Sequence, residues 1–154
     1  MSITLSKSRG DVYQFRKAPL KYEQTFKTPL KELPRFVATI LSPFPATEAR
    51  VTIDQIVFEP KNLLELLATS GIDTHDLRST SITATGHEDV PVLLEASFAD
   101  WVDFLFVPSP DRFVLYADHD EWTTVFAANE VDLASMKSAL HGGGFEMITG
   151  YTRF

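Results

Sequence analysis

The chain has no cysteine among its 154 residues. This excludes a disulfide framework, thiolate zinc sites, iron–sulfur clusters and cysteine catalysis. Long apolar runs are missing as well; the longest, Phe36–Leu41 and Phe104–Val107, fall far short of the roughly 18 residues of a membrane span. The opening residues Met1–Lys7 lack the apolar stretch of a signal peptide. A soluble, cytoplasmic protein with no membrane role is therefore expected. Neither GxGxxG nor GxxxxGK[ST] occurs, and GxSxG and HExxH are absent too. Nucleotide-cradle, serine-hydrolase and zincin readings have no support from motif.

Positive charge is scarce and unevenly placed. The formal net charge is −7, from 14 Lys and Arg against 21 Asp and Glu. Residues 1–35 hold eight bases and three acids, whereas 88–132 hold eleven acids and one base, Arg112. An acidic body repels nucleic-acid phosphates and favours a basic partner. No nucleic acid is expected, and a basic protein is the expected partner. What is plentiful is apolar and aromatic: 44% hydrophobic residues, including twelve Phe. A chain of this length and composition builds one domain with its own core.

The first 35 residues show no sustained period. They are expected to form a basic, irregular N-terminal arm packed on the acidic body or on a sister subunit of a homo-oligomer, with one helical turn starting at Thr28-Pro29. Ser42-Pro43-Phe44-Pro45 is a loop. Val51 and Ile53 share one strand parity while Ile56 and Phe58 share the other, which places a bulge near Asp54-Gln55 or makes the stretch partly helical. Helices are expected at 61–70, closed by Gly71, and at 130–141, started by Asn129 or Asp132 and stopped at Gly142-Gly143-Gly144. Ser79–Thr85 reads as a short strand, and Val90–Phe98 fits helix or strand, with helix preferred. Segments 101–107, 112–117 and 121–127 are rich in β-branched and aromatic residues and are separated by short polar turns. They predict a three-stranded meander, followed by a helix and a final strand over 145–153. The fold class expected is α+β, a single domain with a mostly antiparallel sheet.

The densest polar cluster is Asp118-His119-Asp120-Glu121, at the tip between two of these strands. As plain structure it is a turn whose Asp side chains bond their own backbone. The functional one is a divalent-cation site, but EF-hand spacing fails at Trp122 and Thr123, and no second ligand set is spaced around His119. No metal and no cofactor are therefore expected. His75, His87 and His141 read as loop and helix-end residues. Alternation puts Val102, Phe104 and Phe106 toward the core and Trp101 with Asp103 on the solvent face. Trp101, Asp103, Tyr116, Asp118, His119, Asp120, Glu121 and Trp122 are thus the candidate binding residues, an aromatic and acidic surface for a basic protein. Size, charge and missing motifs parallel immunity or antitoxin-like inhibitors in composition alone. The alternative is a small metal-assisted hydrolase or ligand-binding enzyme built on Asp118–Glu121.

Overall fold

Side chains alternate across a strand, and the eight strands of this protein use that alternation to separate an apolar face from a polar one. The computed structural model describes residues 2–154. Its elements are β1 (Ile3–Lys7), α1 (Asp11–Lys17), β2 (Tyr22–Lys27), α2 (Leu33–Leu41), β3 (Glu48–Gln55), α3 (Lys61–Thr69) and β4 (Thr80–Thr85). They continue with α4 (Asp89–Ala99), β5 (Asp103–Ser109), β6 (Val114–Ala117), β7 (Trp122–Ala127), α5 (Glu130–Gly142) and β8 (Met147–Ile148). The strands form one sheet in the order β1-β4-β3-β5-β6-β7-β2-β8. Every neighbouring pair is antiparallel. The fold is therefore α+β in a single domain, and among the described residues no helix is long and apolar enough to cross a membrane.

One face carries Phe26, Val51, Ile82, Phe104, Phe106, Leu115 and Val125, and the apolar sides of α2, α3, α4 and α5 bury it. The other face has a smaller apolar island of Leu105, Val114, Tyr116 and Phe126, covered by Val12 and Phe15 of α1. Away from that island it is a polar surface, with Thr25 bonded to Thr124 at 2.7 Å and Thr52 to Ser81 at 2.9 Å. Seven residues of helix cannot cover a sheet of this width. The uncovered part is where the polar clusters of the molecule lie.

Several expected elements are present within a residue or two. The meander is β5, β6 and β7; α3 and α5 match the two expected helices; 90–98 lies in α4. The β3–β5 register shifts between Ile53 and Gln55, which is the expected bulge. Gly71 and Gly144 have φ of +80° and +86°, as helix stops require. Asn129 caps α5 by accepting from Asp132 N at 2.8 Å.

Three expectations fail. Segment 1–35 is not an irregular arm, for it supplies β1, α1, β2 and the start of α2. Its period was hidden because β2 alternates Tyr22, Gln24 and Phe26 with Glu23 and Thr25, and one of its faces is the polar one. No helix starts at Thr28-Pro29. Thr28 is buried and bonded to Thr123 at 2.5 Å, and α2 takes Pro34 in its first turn instead. The final strand is only Met147–Ile148. At Gly150, with φ +74°, the chain turns out of extended geometry. Arg153 and Phe154 then lie over the polar face, against Thr124 and Phe126.

Buried carboxylates tie these layers together. Asp100, at the end of α4, accepts from Asn62 N, Asn62 Nδ2 and Leu63 N at 2.7–3.0 Å, capping α3 from another helix. Asp132 takes a two-pronged contact from Arg112 at 2.9 and 2.7 Å, which holds its carboxyl below the usual carboxylate range. For α5, Leu140 has no exposed surface. Leu140→Ala should destabilise the protein by about 2–5 kcal/mol in urea unfolding. A loss below about 0.5 kcal/mol, typical of surface positions, would refute this helix register.

Candidate functional site

The β6–β7 turn closes over the polar face and gathers five of the eight candidate residues. Asp118 Oδ1 accepts from the backbone N of Asp120 at 2.8 Å and of Trp122 at 3.2 Å, so the turn is an Asx type set by its own side chain. Asp118 Oδ2 is held by Arg153 Nη1. Arg153 also donates from Nε to Thr124 Oγ1 and from Nη2 to the Trp122 carbonyl, both at 3.1 Å. Its side chain is 5% exposed. This arginine fastens the C-terminal segment to the hairpin.

His119 sits under the turn against Asp103. Both its backbone N and its Nδ1 lie 2.8 Å from Asp103 Oδ1. A carboxylate oxygen can only accept, so Nδ1 carries its proton and Nε2 is the atom that titrates. The bond to Asp103, with a smaller contribution from the nearby Asp120 and Asp118 charges, raises the imidazole above its ordinary value. Asp120 Oδ1 stands 3.7 Å from Nε2, and the Asp120 side chain is 80% exposed.

Behind the dyad lies a second knot of charge. Tyr116 is buried, and its hydroxyl donates to Asp54 Oδ2 in the β3 bulge. Arg16 of α1 donates to the same oxygen at 2.6 Å. Burial first, and the Asp54 contact second, push the Tyr116 phenol well above its ordinary value, so it stays a neutral donor. Aromatic rings line the rim: Tyr151 lies edge-on to Trp122 at 4.4 Å, and Phe154 lies 5.3 Å from Tyr116 with the Arg16 guanidinium 5.2 Å above it. Arg16, Tyr116, Tyr151 and Phe154 join the Asp103–His119 pair around an open cavity of about 290 Å3.

Asp103, Tyr116, Asp118, His119 and Asp120 therefore converge. Asp103 is on the face that alternation assigns to it, but it is 6% exposed rather than solvent-facing, because the turn and His119 cover it. Trp101, Glu121 and Trp122 do not line the cavity. Trp101 precedes β5 in a turn with φ +52°, so it shares no strand face with Asp103. Glu121 also has a left-handed backbone, φ +69°, and its Oε1 is buried without a hydrogen bond among the described residues. Trp122 supports Tyr151 from behind. Arg16, Asp54, Tyr151, Arg153 and Phe154 complete the cluster, and their separations in sequence gave no sign of it. The only advance signal was the bulge at Asp54.

His75 stands 3.9 Å from Asp73 on the surface, and His87 lines a different cavity at the start of α4. Among the described residues no group of three His, Cys, Asp or Glu is placed to hold a metal ion. The acids of 88–132 are also less exposed than their number implies. Asp100, Asp103 and Asp132 are buried, and Asp118 is paired with Arg153. Asp120 is the acid of the tip that is left open to solvent.

The Asp103–His119 pair makes a pH prediction. A raised folded-state value means that the stabilisation is complete below the unfolded imidazole value of about 6.5 and is lost as pH rises through the folded one. An NMR titration of His119 should show a midpoint above about 6.5 that falls in Asp103→Asn. The gap in melting temperature between wild type and Asp103→Asn should narrow from pH 6 to pH 9. An unshifted His119 midpoint in Asp103→Asn would refute the pairing. No protein-family model, curated protein or solved structure matches this chain, so its function is argued from this geometry.

Proposed function

We propose that the protein is a non-enzymatic interaction domain that receives a basic side chain of a partner protein at the Asp120 lip of this cavity. The observation that carries the proposal is the state of the charges. Asp118 is neutralised by Arg153 and Asp54 by Arg16, which leaves Asp120 exposed beside His119, with Asp103 behind the imidazole. A guanidinium or ammonium entering there meets the Asp120 carboxylate at an aromatic rim, where the Tyr151 and Phe154 faces already hold the Arg153 and Arg16 guanidiniums. The scaffold is held by ion pairs on three different elements, so little order has to be gained on binding. An arrangement of this kind favours specificity and on-rate, and salt weakens it.

A second reading rests on the Asp103–His119 pair itself. An imidazole whose Nδ1 is fixed by a carboxylate and whose Nε2 faces a cavity is arranged as a general base. No serine, threonine or lysine lines that cavity, so the nucleophile in this reading is water.

The two readings separate at one residue each. In the binding reading, a capped tripeptide with a central arginine perturbs the NMR signals of His119, Asp120 and Tyr151, and Asp120→Lys abolishes the effect. Binding weakens as pH falls and His119 gains charge. The Asp120 side chain is 80% exposed and its one charged neighbour is His119 at 3.7 Å, so the variant should keep close to the wild-type melting temperature at pH 8, where the imidazole carries least charge. Equal perturbation of wild type and Asp120→Lys would overturn the proposal. Ester or phosphoester hydrolysis by wild type, lost in His119→Gln with a normal melting temperature, would install the second reading in its place.

A further inference from the structure

The bases of the N-terminal segment are not all used by the fold. Arg16 and Arg35 are ion-paired. Lys7 and Arg9 are exposed and form no salt bridge among the described residues. Arg9 borders a cavity of about 390 Å3 on the polar sheet face, at the opposite end of α1 from Arg16, and the backbone of β1 brings Lys7 to its edge. Arg50 of β3 supplies a third cation. Its Nε lies 3.0 Å from Asp11 Oδ2, and its terminal nitrogens have no hydrogen-bond partner among the described residues. Asp11 is the one carboxylate of the lining, so Arg9 and Arg50 meet one anion, and Lys7 at the sheet edge adds to the positive field. This excess occurs in a chain of net charge −7.

The floor of the cavity is built by strand register. Ser6 of β1 lies beside Ser81 of β4, and Ser81 beside Thr52 of β3. One row along, Thr83 of β4 pairs with Arg50. Ser81 is bonded to Thr52 at 2.9 Å, while the hydroxyls of Ser6 and Thr83 have no side-chain partner among the described residues. Free hydroxyl donors therefore lie under unpaired cations. Gly10, at φ +79°, turns the chain from β1 into α1 and brings Arg9 to the mouth.

We propose that this cavity binds the phosphate group of a small phosphorylated molecule. A phosphate group matches this positive excess, accepts from the guanidiniums of Arg9 and Arg50, and takes hydroxyl hydrogen bonds from Ser6 and Thr83. The volume lies within the range of about 300–1,000 Å3 common for small-molecule sites. A nucleic acid would run past the cavity onto an acidic body that repels it, so a compact ligand fits better. The site is separate from the Asp120 lip and stands whether or not that surface binds a basic partner.

The test is calorimetry and amide NMR on the full chain at low ionic strength, with glycerol phosphate as the probe. Acetate, glycerol and a single-stranded oligonucleotide serve as controls. Saturable binding of glycerol phosphate that shifts the Gly10, Ser81 and Thr83 signals is expected. Lys7→Ala/Arg9→Ala should weaken it by at least about tenfold, without lowering the melting temperature, because neither side chain is paired in the fold. Asp120→Lys should leave it unchanged. Lack of saturation at millimolar probe, equal affinity for acetate, tighter binding of the oligonucleotide, or an unaffected double variant would each overturn the proposal.

Discussion

A β-sheet has two faces, and this chain has helix enough to bury one of them. Four helices cover the face that carries Phe26, Phe104, Phe106 and Val125, and that contact makes the core. Among the described residues the one helix on the opposite face is α1, seven residues long, with the C-terminal Arg153 and Phe154 beside it. Backbone pairing across eight strands forces this second surface to exist, and water forces most of it to be polar. The polar clusters described above are consequences of that asymmetry. The cavity at His119 lies near one end of α1 and the cationic cavity at the other.

Acidic side chains turn the asymmetry into structure. A carboxylate withdrawn from water is costly unless donors reach it. Asp100 is met by the N-terminus of α3, Asp103 by His119, Asp132 by Arg112 and Asp118 by Arg153. Each pairing joins segments that are distant in sequence. The acidity of 88–132 is therefore partly an assembly device, and its contribution to the external field is smaller than composition implies. Charges that the fold leaves beside a cavity, Asp120 on one side and Arg9 with Lys7 on the other, carry the functional proposals.

Backbone detail decides which side chains reach the cavity. The β3 bulge delivers Asp54 to Tyr116 and Arg16. Gly150 lets the C-terminal segment turn, and Arg153 then closes on the hairpin. The left-handed conformations of Trp101 and Glu121 remove two expected residues from the surface.

Local periodicity by itself determined the meander 101–127, the helices near 61–69 and 130–142 and the glycine stops, because those elements bury one full side against the core; it left the β3 bulge beside a partly helical alternative that the β3–β5 register decided. The same alternation put Asp103 opposite Phe104, and the Asp118–Glu121 turn stood out as polar. Tertiary structure alone decided the rest. β1, α1 and β2 carry weak patterns because they border the polar face, where strands need not be apolar. Strand order brought Arg16, Asp54 and Arg153 to Asp103 and His119 across separations of 34 to 103 residues, and no spacing rule encodes that meeting. Charge counting located the acids, but it could not show that pairing with Arg153, Arg112 and His119 takes three of them out of the surface field. That follows from which groups the folded sheet places within hydrogen-bonding distance.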